Sequence, residues 1–234
     1  MKKFTIRLIF KIISYALILF ISLSLLGVIA YKFIDPFITP LMVIRCIEGF
    51  TDGNSVGIDK EWRDYDEVSK NVFRACIAAE DARFLRHNGI DWRAVEQAKR
   101  YNEIHKGKKM RGASTITMQT AKNVFLWNGR SFLRKGLEVY FSYLIEIVWG
   151  KERILEVYVN VIEWGSGIYG VEAASQAYFG KSSSKLTNRQ AALLAAVLPN
   201  PRKFSAKKPS PYIQKRAGNI QKRMRSIALP KPKK

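Results

Sequence analysis

One acidic residue stands where an apolar one is expected. In the segment NVFRACIAAEDARFLRHNG, Glu80 falls on the apolar stripe of a predicted helix, formed by Val72, Phe73, Cys76 and Ile77. Partial burial raises the pKa of a carboxyl group, which suits a group that transfers a proton near neutral pH. An ion pair with Arg74 or Arg83 is the plainer explanation. Glu80 alone does not decide between the two.

A polar and cationic helix face follows a basic loop. The loop HKGKKMRG leads into GASTITMQTAKN, where Thr115, Gln119 and either Lys122 or Asn123 share one predicted face. Free backbone N–H groups and the helix dipole favour an anion at such an N-terminus, so the segment suits a phosphate group. The alternative is that its Ser and Thr residues only cap the helix.

A third polar group lies on the next predicted helix. Arg134 and Glu138 are four residues apart, as in an ordinary surface salt bridge. The functional alternative is that Arg134 and Lys135 face a diphosphate while Glu138 orients a cation or a substrate group. For Glu156 and Tyr158, in RILEVYVN, a structural role is favoured.

Helical periodicity dominates the chain after residue 67, and strand signals are scarce. Asp91 and Thr187 are predicted N-caps, Gly150 ends a helix, and Pro199-Asn200-Pro201 ends the last packed helix. The fold class is therefore mainly α. The predicted helices cover residues 68–81, 91–103, 114–125, 131–149, 151–161, 170–178 and 187–197.

The N-terminal region predicts a membrane anchor. Residues 12–31 carry no charge and are long enough to cross a hydrocarbon core of about 30 Å. A cleaved signal peptide is the alternative, but its apolar stretch is usually only about 7–15 residues long. Four basic residues precede the span, which predicts a cytoplasmic N-terminus; they are Lys2, Lys3, Arg7 and Lys11. The Asp35-Pro36 and Thr39-Pro40 pairs end the helix.

The predicted organisation has five parts. Residues 1–11 form a cytoplasmic basic segment and residues 12–31 the transmembrane helix. Residues 32–63 form a membrane-proximal linker or collar, residues 64–226 the main domain, and residues 227–234 a basic disordered tail.

The charge of the chain predicts an anionic partner. Forty basic against nineteen acidic residues leave a net charge of +21. Nucleic acid is the general expectation for such a chain, but an extracytoplasmic location favours lipid headgroups or a phosphorylated lipid instead. Two separate cysteines and two histidines give no zinc-binding pattern, and Cys76 is predicted to be a core residue.

Several segments together resemble the peptidoglycan glycosyltransferases that polymerise lipid II. EDARFLRHNG resembles the first motif of that family, GASTITMQ the second, RKGLE the third and KERILEVYVN the fourth. AALLAAVLPNP resembles its closing motif, and the likeness covers residues 62–224. The short length resembles the monofunctional, membrane-anchored members. The implied fold is a lysozyme-like helical lobe with a small mobile lobe next to the membrane.

The resemblance implies roles for individual residues. Glu80 would be the catalytic base and Glu138 a second catalytic carboxylate, with a divalent cation, Mg²⁺ or Mn²⁺, left open near Glu138. The implied binding residues for substrate and diphosphate are Arg111, Ser114, Thr115, Gln119, Lys122, Asn123, Arg134 and Lys135. Met118 departs from the family, which usually carries a second Gln there. Ser182 to Lys185 spell SxxK, the transpeptidase nucleophile pattern, without its partner motifs.

The implied partners are lipid II, the growing lipid-linked glycan, membrane lipids and proteins of wall synthesis or division, and not nucleic acid. Two other classes of protein remain as alternatives. A lytic or lysozyme-type glycosidase would also use a glutamate in a helical cleft, but it needs no diphosphate site. A noncatalytic basic scaffold at the membrane would explain the charge and the anchor, but not Glu80.

Overall fold

Two units make up the chain. The computed structural model describes residues 2–53, 57–106, 110–129 and 131–230, and it divides the chain into Met1–Asp35 and Pro36–Lys234. The first unit is helix α1 (Lys2–Phe33). Its stretch Ile6–Phe33 has 28 residues, about 42 Å of helix, and is apolar enough to cross a membrane. Helix α1 ends before Asp35-Pro36, as predicted.

The second unit is helical with one small sheet. Its helices are α2 (Pro40–Thr51), α3 (Lys70–Glu80), α4 (Trp92–Ile104), α5 (Ile116–Phe125), α6 (Phe132–Val148), α7 (Gly150–Val161), α8 (Val171–Phe179), α9 (Asn188–Val197) and α10 (Pro211–Met224). The strands are β1 (Asp59–Lys60), β2 (Glu163–Gly165) and β3 (Ile168–Tyr169). Strand β3 lies in the middle, parallel to β1 and antiparallel to β2. The mainly α fold class is confirmed.

The core lies around two sets of packed helices. Helix α9 packs against α3 and α10, and α5 packs against α6 and α7. Every residue of α9 from Ala191 to Val197 is buried, because this helix is apolar on all sides. Its N-terminus is fixed by a capping box between Thr187 and Gln190. Asp91 caps α4 by accepting a hydrogen bond from the Ala94 N–H. Both predicted N-caps are therefore confirmed.

Two helices lie where none was predicted. Helix α2 falls in the predicted linker at residues 32–63, and α10 follows the Pro199–Pro201 segment. The prediction that packed helices end at this segment is wrong. Ser210 and Pro211 begin a new helix, and its buried face packs on α3 and α9. That face consists of Ile213, Ala217, Ile220 and Met224. The last four residues of the predicted disordered tail, 231–234, lie outside the described residues.

Candidate active site

Glu80 is the last residue of α3, and its side chain is 16% exposed. Its Oε2 accepts a hydrogen bond of 2.9 Å from the Gln119 Nε2 on α5. Its Oε1 lies 3.6 Å from an Nη2 of Arg216 on α10. The carboxylate is thus held from two sides by elements that are distant in sequence. The plainer alternative, an ion pair with Arg74 or Arg83, is wrong, because Glu80 pairs with Arg216, and Arg83 pairs with Asp91 at 3.2 Å.

The Gln119 amide is itself oriented by a buried tyrosine. The hydroxyl of Tyr158, on α7, donates to the Gln119 Oε1 at 3.4 Å. Burial raises the pKa of Tyr158 well above its ordinary value, and the nearby Glu80 adds to this shift. The phenol therefore stays protonated and can only donate to the amide oxygen. This donation leaves the Gln119 amide nitrogen pointing at Glu80.

Asp81, next to the candidate base, joins α3 to the start of α5. Its Oδ2 accepts the Ile116 N–H at 3.1 Å, and both of its oxygens lie 3.0 Å from the His87 Nε2. Ile116 is the first residue of α5, so its N–H has no partner within the helix. Asp81 therefore sets the position of the helix that carries Gln119 and Lys122.

A glycine allows close packing at the joint between α3 and the start of α5. Gly89 has φ +86°, and a Cβ atom there would lie 3.2 Å from the Ser142 carbonyl oxygen. The Gly89 carbonyl accepts a hydrogen bond from the Thr115 hydroxyl. The Thr115 oxygen also accepts the Met118 N–H at 3.1 Å, so Thr115 is the buried N-cap of α5. For Thr115, capping is thus the observed role.

The third predicted group forms an ion cluster around a buried carboxylate. Glu138 is 3% exposed; its Oε2 lies 2.7 Å from the Arg134 Nη1 and its Oε1 lies 2.6 Å from the Lys135 Nζ. Arg134 is 9% exposed, so this is not an ordinary surface salt bridge. The Arg134 Nε donates to the Gly129 carbonyl, which fixes the guanidinium further. One carboxylate here orients two cations.

Lys122 adds a third cation to this cluster. The pKa of Lys122 is lowered, first by burial and then by the positive charge of Arg134. Glu138 acts in the opposite direction, and the charges of Arg45 and Lys135 lower the pKa further. The cluster therefore has more positive charge than Glu138 can balance. An incoming anion such as a diphosphate would relieve this repulsion, which is the property of a phosphate-binding site.

A cavity of about 300 Å³ connects the base to the basic loop. It is lined by Glu80, Asp81, Arg111 and Ser114, together with Arg83 and Arg223. The Arg111 backbone is held by Asn102, which accepts its N–H at 2.7 Å and donates to its carbonyl at 3.0 Å. Residues 107–109 of the predicted loop lie outside the described residues.

The remaining residues singled out in the sequence lie around the site or in the scaffold. Ser114 is exposed and accepts a contact of 3.4 Å from the Lys135 Nζ. Asn123 is buried within α5. Glu156 accepts the Tyr65 N–H and pairs with Arg153, so its favoured structural role fits its contacts. In the SxxK segment, the Ser183 N–H donates to buried Glu172, which makes that segment part of the scaffold.

The side chains around Glu138 do not form a metal site by themselves. Both of its oxygens are already paired with cations. No group of three or more His, Cys, Asp or Glu residues comes together within the described ranges to hold Mg²⁺ or Mn²⁺ by protein side chains alone. No step of the mechanism is therefore assigned to a protein-bound metal.

Sequence reasoning missed Arg216. The residue lies in α10, which was not predicted, and its partner Glu80 is far away in the chain. The available signal was the spacing of Ile213, Ala217, Ile220 and Met224, which gives a helical stripe and predicts α10. No local pattern indicates which residue Arg216 would meet.

Comparisons with known proteins identify the family of the chain. The sequence profile described as transglycosylase matches residues 51–225. A protein of Caulobacter vibrioides named biosynthetic peptidoglycan transglycosylase is 50% identical over 95% of this chain and 93% of its own length. Proteins of the same name from Bdellovibrio bacteriovorus and Chromohalobacter salexigens are 52% and 46% identical, over 94% and 93% of this chain and 87% and 92% of their own lengths. The chain belongs to the family of biosynthetic peptidoglycan transglycosylases.

Proposed function

We propose that this chain is a peptidoglycan glycosyltransferase that polymerises lipid II into β-1,4 glycan strands and releases undecaprenyl diphosphate. The observation that carries the proposal is the pairing of two sites on α5. Gln119 contacts the partly buried carboxylate of Glu80, and Lys122, one turn later, belongs to the cation cluster. Gln119 and Lys122 are three residues apart on α5, a rise of about 4.5 Å, so this helix brings the contact to the base on α3 close to a cation of the proposed diphosphate site, which suits glycosyl transfer from a lipid diphosphate.

Glu80 acts as the base in this mechanism. It accepts the proton of the acceptor 4-hydroxyl while that oxygen attacks the anomeric carbon of the lipid-linked glycan. The bond from that carbon to the diphosphate breaks, and its electron pair leaves with the diphosphate. Direct displacement inverts the anomeric centre, so no covalent enzyme intermediate forms. Gln119 and Arg216 hold the carboxylate in place for the proton transfer.

The cation cluster stabilises the leaving group. Negative charge grows on the diphosphate as the glycosidic bond breaks, and Lys122, Arg134 and Lys135 are placed to balance it. Glu138 contacts Arg134 and Lys135 directly and so acts as a positioning residue for these cations. The diphosphate bond supplies the driving force, and no nucleotide is required.

The proposed location is the bacterial cytoplasmic membrane. Helix α1 fits a single-pass anchor. The basic residues before the span favour a cytoplasmic N-terminus, which would put the Pro36–Lys234 unit on the outer side. Membrane lipids and lipid II are then the expected partners, and proteins of wall synthesis or division are proposed beyond them. A reporter fused after Lys234 that is active only outside the cytoplasm tests this orientation.

The decisive experiment is a polymerisation assay. Purified full-length protein in detergent is incubated with labelled lipid II, and the products are resolved by chain length beside a muramidase-treated sample. Long glycan that muramidase digests is the expected result. Cleavage of preformed glycan without polymerisation would support the lytic alternative, and unchanged lipid II under varied detergent and metal would support the scaffold.

Glu80→Gln is the matched variant for this assay. The amide keeps the shape of the side chain and can still accept from Gln119, so the fold is retained, but it cannot take a proton. Polymerisation is expected to fall by at least about a thousandfold. Normal activity in a folded Glu80→Gln protein would remove Glu80 from the mechanism.

A further inference from the structure

A groove of about 330 Å³ lies between α3 and α10, beside the candidate base. Ala79, the residue before Glu80, lines it from α3. The other wall is one face of α10, because the lining residues there follow helical spacing; they are Tyr212, Lys215, Arg216, Asn219, Ile220 and Arg223. Arg216 links this wall to the active site, since its Nη2 lies 3.6 Å from the Glu80 Oε1. The groove therefore begins at the group that is proposed to take the proton.

The groove has more positive charge than the nearby carboxylates balance. Lys215, Arg216 and Arg223 line it, and the described residues of its lining include no acidic one. No aspartate or glutamate follows Glu172 in the sequence, so α10 has no acidic residue of its own. Arg216 is paired with Glu80, whereas Lys215 and Arg223 form no ion pair within the part of the chain that the structure describes. Anionic groups of a ligand would relieve the repulsion among these cations.

Arg216 also has a hydrogen-bond donor without a partner. Its side chain is 27% exposed, but its Nε is shielded from solvent and makes no hydrogen bond to any residue that the structure describes. A guanidinium has five N–H donors in one plane, so Arg216 can hold Glu80 and still donate to a second acceptor. A fully solvated basic face would leave no shielded donor unpaired, which favours a binding site over a simple surface.

The groove lies on the acceptor side of the proposed reaction. The Glu80 Oε2 contacts Gln119 on α5, the helix that also carries Lys122 of the proposed diphosphate site. The Glu80 Oε1 contacts α10 instead. In a direct displacement, the attacking and the leaving oxygens lie on opposite faces of the anomeric carbon. We therefore expect the acceptor to reach Glu80 from the side of α10.

The spacing of the cations favours several separate carboxylates over one compact diphosphate. Helix α10 rises about 12 Å from Lys215 to Arg223, whereas Arg134 and Lys135 both contact the single carboxylate of Glu138. The sugars of lipid II are uncharged, but its disaccharide carries a short peptide with carboxylates at separate positions. Four residues of extended peptide span about 13 Å, close to the length of this row of cations.

We propose that the groove beside α10 binds the carboxylates of the acidic peptide on the acceptor, through Lys215, Arg216 and Arg223. The inference rests on the proposed function, and it adds the part of the site that recognises the charge of the acceptor peptide. Asn219 lies on the same face of α10 and lines the groove, where its amide can pair with the peptide backbone. The acceptor is then held at two points, by its hydroxyl at Glu80 and by its peptide at α10.

The test compares two soluble probes that lack both the lipid and the diphosphate. One is the free disaccharide peptide with its carboxylates, and the other is the same compound with those carboxylates converted to amides. Their affinities for the full-length protein are measured by calorimetry in one detergent at low salt. We expect the acidic probe to bind at least about fivefold more tightly, as two exposed ion pairs would give. The preference should shrink at high salt, because such pairs are screened.

Two double variants assign the preference to the groove. Lys215→Gln with Arg223→Gln removes two exposed cations from its wall and should reduce the preference for the acidic probe to less than about twofold. Lys207→Gln with Lys208→Gln removes the same charge from exposed positions outside the groove and should keep the preference. Inorganic pyrophosphate, measured on the same proteins, separates the two sources of anion. Its affinity should be equal in both double variants.

Each outcome has a separate meaning. The peptide site is overturned if the acidic probe shows no preference or no measurable binding, or if the preference survives in the groove variant with a normal melting curve. Loss of pyrophosphate binding in the groove variant alone would assign the groove to a phosphate and overturn it as well. If lipid II is polymerised in these cases, the proposed function stands without the peptide site. A groove-dependent preference without polymerisation would support the peptide site and count against the proposed function.

Discussion

At the scale of single residues, Arg216 is one of the two contacts that hold the candidate base. It holds one Glu80 oxygen from α10 while Gln119 holds the other from α5. We predict that Arg216→Ala lowers the rate of lipid II polymerisation by about tenfold to a hundredfold, because a misplaced base loses much of its effect. Arg216→Lys should recover part of the rate. Initial rates at saturating lipid II measure both variants; an unchanged rate in Arg216→Ala would contradict the positioning role.

Lys122 illustrates a conflict between stability and function at one residue. Its pKa is lowered by burial and by Arg134, so the charged form is disfavoured in the fold. We predict that Lys122→Met raises the melting temperature by about 2–4 °C, the effect of about 1 kcal/mol in a chain of this size. Polymerisation should fall by about a hundredfold because a cation at the leaving group is lost. Lys207→Met, at an exposed position, should change neither quantity.

The same lowered pKa predicts a pH dependence. Between the folded and the unfolded pKa of Lys122, the unfolded chain binds more protons, so the contribution of Lys122 to stability rises with pH in that window. Polymerisation should move in the opposite direction, because the cation is lost as the pH rises through the folded pKa. Melting temperature and initial rate measured across alkaline pH check both signs. A Lys122→Met protein with the same alkaline stability profile would rule Lys122 out as the cause.

Much of the site was predictable from the sequence, because many of its residues are neighbours on the same helix. Gln119 and Lys122 share one helix face, and Arg134, Lys135 and Glu138 lie within two turns of another helix, so spacing brings each set together. The Glu80–Arg216 contact was not predictable, because it depends on how α3 and α10 pack. The burial of the Arg134–Glu138 pair also depends on packing, which spacing does not reveal.

At the scale of elements, the joint between α3 and α5 positions the whole site. Asp81 accepts the first N–H of α5 and contacts His87. We predict that Asp81→Asn destabilises the fold by about 1–3 kcal/mol, because one buried donor then loses its charged acceptor. Thermal or urea unfolding measures the loss. Glu96→Gln is the matched change in an exposed pair with Arg100, and it should cost no more than about 0.5 kcal/mol. Equal effects of the two changes would contradict the role of the joint.

Some elements were predicted from the sequence and others were not, and the difference lies in their amino acids. Helices α3 to α9 have apolar faces at helical spacing or clear caps, so their sequences determine them. Helix α2 follows two X-Pro pairs, which indicated only where α1 ends, although Thr39 and Pro40 also form the cap and first position of α2. Helix α10 is so basic that its charges obscured its apolar stripe. The short strands pair over two or three residues, too few for a sequence signal.

At the scale of the whole molecule, the chain combines a self-contained catalytic unit with an apolar helix. Pro36–Lys234 forms its own compact unit, with its own buried core and the complete candidate site. Nothing in the proposed chemistry uses a side chain of α1. We therefore expect α1 to act by raising the local concentration of the lipid substrate, since an anchored enzyme and a lipid lie in the same membrane.

Deletion of residues 1–35 separates folding from anchoring. We predict that the remaining unit melts within about 2 °C of the full-length protein and, in detergent, polymerises lipid II within about threefold of its rate. On vesicles that carry lipid II, its rate should fall by about a hundredfold, because the local concentration given by the anchor is lost. An unrelated apolar helix in place of α1 should restore that rate. If only the native α1 restores it, the helix has a specific role in catalysis, and if deletion unfolds the unit, the two parts do not fold independently.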